Sequence, residues 1–325
     1  MYLGPGSFAQ RYLSWLLNPL SLTFKATASF ALMRPRKKKH FFCQSFVISV
    51  DNLSFGGTGK TSLVIEIGNL LAEAGLSFAI VSRGYGGRLV REGCLVSLED
   101  DSNKVGDEAV LIKRNFPDRD VFIGRDRAAS IEKAVSRGNA FIILDDGLQR
   151  REIVKDLAIL LVDLEHPFYY LRYFPGMRRF SDLVFYHDPG GQKTSQDTYR
   201  FKRTLICRPD GTVFDPGDSR IIAFAALGDG RRFIDSLSDL EIVHFEAFRD
   251  HHFYAAADLA RLEKIRLRHR ADYLLCTEKD LVKVSALLPA SAPFLCVKNR
   301  IELNYPIMAR ITADAQKKGI LAPPV

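Results

Sequence analysis

From residue 46 onward, short runs of apolar and largely β-branched residues alternate with segments of helical periodicity. This alternation is typical of an α/β fold with a mostly parallel sheet, because a covering helix usually connects two parallel strands. A helix is predicted at 60–74, ended by Gly75. The apolar runs predict strands at 46–51, 78–81, 121–123, 141–145 and 157–162, and a second series at 221–226, 242–245, 273–276 and 294–297.

A polar stretch with glycine and proline at 187–200 separates the two series of strands. Such a composition is typical of a connection between folded units. The pattern therefore predicts two α/β lobes with a cleft between them, the second lobe being smaller. The predicted parts are an amino-terminal segment at 1–40, a core at 41–186, an interdomain connection at 187–218 and the smaller lobe at 219–325.

The loop after the first predicted strand is rich in glycine. It follows the pattern G-x-x-x-x-G-K-[ST], except that Ser54 stands where the first glycine is expected. In loops of this type backbone N–H groups face the phosphates of a nucleotide, the lysine contacts their terminal oxygens and the hydroxyl binds Mg²⁺. Strand, loop and helix together predict a P-loop NTPase-like core that binds ATP and Mg²⁺. The predicted nucleotide-binding residues are Ser54, Phe55, Gly56, Gly57, Thr58, Gly59, Lys60 and Thr61.

Two acids end the apolar strand predicted at 141–145. Asp145 is its last residue and Asp146 follows directly. A nucleotide bound with Mg²⁺ needs a carboxylate at the end of a second strand to hold the metal ion. We therefore expect Asp145 and Asp146 on the metal side of the site, and the pattern leaves open which of them is nearer the ion.

Two further segments contain titratable residues. Asp107 and Glu108 stand at a predicted helix start, where acids also stabilise the positive end of the helix dipole. Asp250 precedes His251 and His252, a combination that permits an acid–base pair, although a single histidine is usually structural. For either segment alone, capping or packing is the simpler interpretation. Phosphate transfer to a hydroxyl, however, needs a group that accepts or orients the proton.

Charge and cysteine distribution limit the partners and the compartment. The formal net charge is +8, and the first fifty residues contain seven of the 46 basic residues and no Asp or Glu. The other 39 basic residues nearly balance the 38 acidic ones, so a nucleic-acid partner is not expected. The five cysteines are scattered, without metal-ligand spacing. This indicates a reduced, cytoplasmic protein without structural zinc or a disulfide framework.

Residues 1–33 are amphipathic and aromatic, and a basic run follows at 34–39. Charged residues and an Asn18-Pro19 break keep every apolar stretch below the ~20 residues that a spanning helix needs. The pattern favours a segment that lies on an anionic membrane surface, with about 1 kcal/mol of attraction per basic residue. In the alternative interpretation, this segment packs on the body of the protein.

Six motifs, in order along the chain, resemble those of the tetraacyldisaccharide 4'-kinase family of lipid A biosynthesis in Gram-negative bacteria. They are residues 49–61, 83–87, 106–108, 145–149, 248–252 and 277–280. The resemblance implies transfer of the ATP γ-phosphate to the 4'-hydroxyl of a tetraacylated glucosamine disaccharide 1-phosphate, which gives lipid IVA. It also implies a peripheral, monotopic enzyme at the cytoplasmic face of the inner membrane.

The resemblance further implies roles for individual residues. Asp107 matches the catalytic aspartate of the family, and His251 is expected to work with it once the two lobes close. The residues expected on the metal side are Thr61, Glu108, Asp145 and Asp146. Contacts with the anionic disaccharide are expected from Asn52, Arg83, Tyr85, Arg127, Gln149 and Arg178 or Arg179.

A P-loop GTPase or ATPase switch, or a metallochaperone-type protein, is the alternative interpretation. Proteins of that kind usually recognise guanine through an N-K-x-D motif. The nearest candidate is the TEKD motif at 277–280, in which lysine and aspartate are adjacent. A strong preference for GTP over ATP in a competition assay would favour this alternative.

Overall fold

The computed structural model describes residues 22–23, 26–27, 41, 43–53, 58–88, 93–163, 175–190, 197–227, 230–249, 252–288 and 292–322. The predicted amino-terminal segment therefore lies almost entirely outside the described residues, and so do Ser54, Phe55, Gly56, Gly57 and His251. Within the described ranges, no helix combines the length and the apolar character needed to cross a bilayer.

Strands and helices alternate through most of these ranges. The strands are β1 (Phe46–Asn52), β2 (Phe78–Ser82), β3 (Cys94–Leu95), β4 (Asp120–Ile123), β5 (Phe141–Asp145), β6 (Leu157–Val162), β7 (Leu183–His187), β8 (Thr198–Cys207), β9 (Arg220–Ala225), β10 (Glu241–Ala247), β11 (Tyr273–Thr277) and β12 (Phe294–Leu303). The helices are α1 (Lys60–Glu73), α2 (Ser102–Val105), α3 (Asp107–Asn115), α4 (Arg127–Ser136), α5 (Gly230–Asp235), α6 (Ala256–Arg268), α7 (Glu278–Val284) and α8 (Ile307–Lys317), with 3₁₀ turns at Pro175–Phe180 and Ser285–Leu287. Every predicted strand is present, whereas β3, β7 and β8 were not predicted.

These strands form one sheet, in the order β10-β9-β11-β12-β8-β7-β6-β1-β5-β2-β4-β3. β1 lies between β5 and β6 and is parallel to both. Every residue of β1 is buried, as expected for a strand with helices on both faces, and this explains its largely apolar sequence. The register pairs Val50 with Asp145. The phosphate loop and the acid pair therefore follow their strands at the same edge of the sheet.

Helices cover both faces of this sheet. On one face, α1, α3 and α8 pack over Phe46, Ile48 and Val50 of β1. On the other face, α4 packs over Val47 and its neighbours in β2 and β5. Both cores use the same strands because successive side chains of a strand point to opposite faces. With α1 and α3 on one face, the starts of both helices lie on the same side of the sheet.

The strands of the smaller predicted lobe continue this sheet. β10, β9, β11 and β12 are parallel neighbours, and β12 pairs with β8 in antiparallel orientation. β8 lies within the predicted connection 187–218, so this segment contains a ten-residue strand as well as turns. The prediction of an α/β fold with a mostly parallel sheet is confirmed, and the β8–β12 pairing joins the second lobe to the first.

Candidate active site

The start of helix α1 is suited to binding an anion. Gly59 precedes the helix with a φ of 87°, a left-handed conformation that favours glycine. A side chain at this position would also collide with the ring of Phe201 in β8. Gly59 has no side chain to cap the helix start, and the first turn of α1 contains no acid. A phosphate at this helix start would therefore meet no competing carboxylate from α1 itself.

Thr58, the residue before this glycine, is held on two sides. Asn52 at the end of β1 donates a hydrogen bond from Nδ2 to Thr58 Oγ1 at 2.6 Å. Tyr199 of β8 donates one from its hydroxyl to the Thr58 carbonyl oxygen at 3.1 Å. All three residues are buried. Asn52 thus positions the end of the phosphate loop, and its contact with the acceptor stays a prediction.

Lys60 lies beside the two acids that end β5. Its Nζ is 3.7 Å from Asp145 Oδ1 and 3.6 Å from Asp146 Oδ1. Asp146 has a φ of 62°, which is uncommon for a residue other than glycine. Strained backbone of this kind clusters at functional sites. The structure thus brings together three residues that were predicted to bind nucleotide and metal.

The charge of this cluster fits a divalent cation. Asp145 Oδ2 accepts a hydrogen bond from Ser82 Oγ at 3.1 Å, whereas its Oδ1 is buried without a hydrogen-bond partner among the described residues. Burial raises the pKa of Asp145, and the negative charges of Glu108 and Asp146 raise it further, against the opposing charge of Lys60. In the described part of the chain no three acid, histidine or cysteine side chains form a ready metal cage. The fit to Mg²⁺ therefore depends on excess carboxylate charge and on this buried oxygen.

Asp51 is another acid of this region, and sequence reasoning did not assign it a role. Its Oδ2 accepts a hydrogen bond from Ser49 Oγ at 2.5 Å, and its Oδ1 accepts one from Leu148 N at 2.7 Å. The second bond holds the turn after β5 against β1. Burial raises the pKa of Asp51 to about 6, and the charge of Asp146 contributes. A signal was present in the sequence, since Asp51 is the only acid of β1.

The raised pKa of Asp51 predicts a pH dependence of stability in the protein without nucleotide and metal. The folded state holds this proton more tightly than the unfolded chain, so stability falls as the pH rises from the usual carboxyl pKa through about 6. As the pH rises from 4.5 to 7.5, ionisation of Asp51 is expected to lower the free energy of unfolding by about 2 kcal/mol. Urea unfolding of Asp51→Asn at both pH values should show that part of the pH dependence removed. An unchanged pH dependence would assign the effect to other groups.

Asp107 and Glu108 form the first turn of α3. Gly106 precedes them with a φ of 93°, and a side chain there would collide with the carbonyl oxygen of Tyr85. This glycine lets the loop after β2 cross the helix start closely. Asp107 Oδ1 accepts a hydrogen bond from Glu108 N at 2.9 Å, and its Oδ2 lies 3.6 Å from Lys279 Nζ. The acid pair therefore stabilises the helix start and also faces the second lobe.

The histidine segment precedes helix α6. His251 lies outside the described residues, so its role stays a prediction. The Nε2 atom of His252 lies 3.0 Å from Asp258 Oδ2. The His252 ring packs against Phe248 and Tyr254. His252 thus helps to hold the segment in place, as the structural interpretation of a histidine expects.

The residues predicted to bind the acceptor differ in exposure. Arg127 is buried, and its Nη1 donates hydrogen bonds to the carbonyl oxygens of Ser82 and Gly124. Burial lowers the pKa of Arg127 to about 10. This side chain holds the ends of β2 and β4 together, and its contact with the acceptor stays a prediction. The exposed members of the set are Arg83, Tyr85, Gln149, Arg178 and Arg179.

A helix start open to phosphate, with its lysine beside the acids of the neighbouring strand, is the arrangement by which P-loop proteins bind nucleoside triphosphates. By fold and site, the chain is therefore a protein of the P-loop nucleotide-binding class. The family model described as tetraacyldisaccharide-1-P 4'-kinase matches residues 13–316. The chain belongs to that family.

Several relatives named tetraacyldisaccharide 4'-kinase match most of the chain. One from Methylobacterium nodulans is 33% identical, and the match covers 86% of this chain and 85% of the relative. One from Syntrophus aciditrophicus is 31% identical, and the match covers 79% of this chain and 80% of the relative. These matches confirm the predicted family and the assignment as a kinase of lipid A biosynthesis.

A solved structure shows the same fold. It is LpxK from Aquifex aeolicus in complex with ATP, and the match covers 94% of this chain and 99% of that chain. The TM-score is 0.72 at 24% sequence identity. The likeness confirms the predicted fold class, whereas the roles of single residues stay predictions.

Proposed function

We propose that this protein transfers the γ-phosphate of ATP to the 4'-hydroxyl of a tetraacylated glucosamine disaccharide 1-phosphate, with Mg²⁺ as the metal ion. The product would be lipid IVA. The observation that supports this most directly is the position of Lys60, within 3.7 Å of both Asp145 and Asp146 at the start of α1. A cation and two carboxylates at a helix start suit the phosphates and the metal ion of a nucleotide.

On the nucleotide side, the residues act through charge and position. Lys60 and the N–H groups at the start of α1 bind the β- and γ-phosphate oxygens, because both present positive charge. Thr61, Asp145 and Asp146 would hold Mg²⁺. We propose a role on the metal side for Glu108 as well, whose negative charge acts on Asp145. When bound, the ion neutralises charge on the transferred phosphoryl group.

On the acceptor side, Asp107 takes the proton of the 4'-hydroxyl. The hydroxyl oxygen forms a bond to the γ-phosphorus, the bond from that phosphorus to the bridging oxygen of ADP breaks, and the proton moves to the carboxylate. Asp107 suits this role because Glu108 N holds one of its oxygens while the other faces the second lobe. We propose that His251 of the second lobe works with Asp107 in this proton transfer.

The exposed residues of the loops after β2 and β5 are proposed to bind the disaccharide. Arg83 and Tyr85 follow β2, and Tyr85 is 60% exposed. Gln149 follows β5 and is exposed as well. An arginine can donate two parallel hydrogen bonds to a phosphate, which suits Arg83 and either Arg178 or Arg179 for an anionic sugar.

A kinase assay with full-length protein in detergent tests this function. The disaccharide 1-phosphate, Mg²⁺ and γ-labelled ATP are expected to give labelled acceptor. ATP hydrolysis without acceptor is measured in parallel, and EDTA should stop transfer. Folded protein that hydrolyses ATP but never labels the acceptor would overturn the proposed function.

The position of Asp280 argues against the GTPase alternative. This acid of the TEKD motif is fully buried and accepts hydrogen bonds from Thr277 Oγ1 at 2.7 Å and from the Tyr254 hydroxyl at 3.0 Å. A carboxylate used in this way inside the second lobe is not placed to recognise guanine. We therefore expect GTP to compete only weakly with ATP, whereas strong competition would favour a GTPase.

We infer that residues 1–33 and the basic run at 34–39 bring the enzyme to the cytoplasmic face of the inner membrane. Deleting 1–33 is expected to move most of the protein from the vesicle fraction to the soluble fraction, because the apolar face is lost. A matched variant with glutamine at the basic positions of 34–39 should bind anionic vesicles less and with weaker salt dependence. Unchanged sedimentation of the deletion variant would assign membrane binding to the body of the protein.

A further inference from the structure

The motif 277–280 takes part in no step described above, yet it lies beside the acid pair of α3. Lys279 Nζ is 3.6 Å from Asp107 Oδ2 and 3.5 Å from Glu108 Oε1. The Lys279 and Asp107 side chains are mostly buried. Lys279 thus brings a positive charge from the second lobe to the residue proposed as the general base.

The positive charge of Lys279 does not stabilise the helix to which it belongs. It stands in the first turn of α7, where the positive end of the helix dipole disfavours a cation. The two acids of that turn have other partners, since Glu278 pairs with Arg300 and Asp280 pairs with Lys283. The acids that face Lys279 belong to the first turn of α3. Its charge is therefore matched to a distant part of the chain.

Helix α7 is held against α3 by further contacts. Arg300 of β12 donates hydrogen bonds to Glu278 Oε2 at 2.9 Å and to Asn115 Oδ1 at 3.2 Å. Arg114 donates one to Ser285 Oγ at 3.1 Å. These bonds join the carboxyl end of α3 to both ends of α7. They therefore fix the position from which the lysine contacts the acid pair.

The next residue of α7, Asp280, links the same helix turn to the histidine segment. Its buried Oδ1 accepts a hydrogen bond from the Tyr254 hydroxyl at 3.0 Å. Tyr254 packs edge-on against the ring of His252, with the ring centroids 5.1 Å apart. One turn of α7 therefore contacts the acid pair of α3 on one side and Tyr254, which packs on His252, on the other.

We propose that Lys279 is a positioning residue of the kinase site. Its ammonium group holds the Asp107 carboxylate in the orientation that accepts the proton of the acceptor. This role rests on the proposed function, in which Asp107 is the general base. Lys279 should affect turnover more than ATP binding, because its described contacts with the kinase site are with Asp107 and Glu108 at the start of α3.

Two substitutions separate the charge of Lys279 from its packing. Lys279→Gln is expected to lower the turnover number by about 10- to 100-fold while the KM for ATP stays within about twofold. Lys279→Arg retains the positive charge and should recover most of that loss. The matched control is Lys264→Gln, an exposed lysine of α6, which should have wild-type kinetics. Wild-type turnover in Lys279→Gln would overturn the proposed role.

A double-mutant cycle tests whether Lys279 acts through Asp107. In an Asp107→Asn background, Lys279→Gln should have little further effect, because the carboxylate that it positions is gone. An equal loss in both backgrounds would make Lys279 a purely structural residue and overturn the proposal. If Lys279→Gln does not fold, the cycle is run with Lys279→Met, which also removes the charge, and the loss that it causes should likewise vanish in the Asp107→Asn background.

The same experiments distinguish failure of the proposed function. If Asp107→Asn alone keeps wild-type turnover, or if the unmodified enzyme does not phosphorylate the acceptor, the proposed function is wrong and the role of Lys279 fails with it. If Asp107→Asn loses turnover and Lys279→Gln does not, only the role of Lys279 is wrong.

Discussion

Replacing Asp107 with asparagine is expected to lower the turnover number of the kinase reaction by about 10²- to 10⁴-fold, the usual range for loss of a general base. The asparagine oxygen can still accept the hydrogen bond from Glu108 N that the carboxylate accepts at 2.9 Å. It cannot take a proton from the 4'-hydroxyl. Because Asp107 belongs to α3 and not to the phosphate loop, the dissociation constant for ATP should stay within about twofold. Steady-state kinetics and titration calorimetry measure the two quantities.

Asp118→Asn is the matched control for this variant. Asp118 is exposed on the turn after α3, so this substitution removes the same charge near the opposite end of the helix. It should change neither turnover nor ATP affinity. Wild-type turnover in Asp107→Asn would assign the general base to another residue. A loss of ATP affinity as large as the loss of turnover would assign Asp107 to the nucleotide side.

Replacing Lys60 with methionine is expected to lower kcat/KM for ATP by about 10³-fold or more, because a preorganised cation at the transferred phosphate is lost. Methionine is similar in length and apolar, so the start of α1 should still form. Lys317→Met is the matched control, since Lys317 lies 3.1 Å from Asp314 in an ion pair on the surface of α8. An exposed pair of this kind contributes little, and wild-type kinetics are expected. Wild-type kinetics in Lys60→Met would exclude Lys60 from phosphate binding.

The Lys60 variant should also lose stability in a pH-dependent way. The charge of Lys60 lowers the pKa of Asp145 and of Asp51, and burial has the opposite, larger effect. Without Lys60 both pKa values rise further, the folded state holds more protons than the unfolded chain, and stability falls as pH rises. The melting temperature should therefore drop more, relative to wild type, at pH 7.5 than at pH 5. Equal drops at both pH values would indicate lost packing instead of lost charge.

The phosphate loop and the acid pair could be predicted because their determinants are local. A short apolar strand, a glycine-rich turn and a helix that begins at Lys60 follow one another directly, and Asp145 ends another apolar run. Parallel strands bring their carboxyl ends to one edge of a sheet. That rule was enough to expect Asp145 and Asp146 on the metal side of the phosphate loop. The structure places Lys60 Nζ 3.7 Å and 3.6 Å from them, and their metal role stays a prediction.

Strand β8 could not be predicted in the same way. Its sequence contains Arg200, Lys202 and Arg203, so the strand lacks the continuous apolar run by which the other strands were predicted. Its partner β12 is distant in the chain, with Cys207 paired to Cys296. Burial against distant segments also decided that Asn52 and Arg127 form hydrogen bonds with atoms inside the protein, and their contact with the acceptor stays a prediction.

By itself, the sequence determined the strand–loop–helix unit for nucleotide phosphates, the acids beside it and the α/β class, because propensity and periodicity act over a few residues. Only the tertiary structure decided that one sheet joins both lobes, that Asp51 lies buried with a raised pKa, and that Lys279 contacts Asp107. Asp107 and Lys279 are far apart in sequence. Their contact depends on the packing of α7 against α3, which no local pattern encodes.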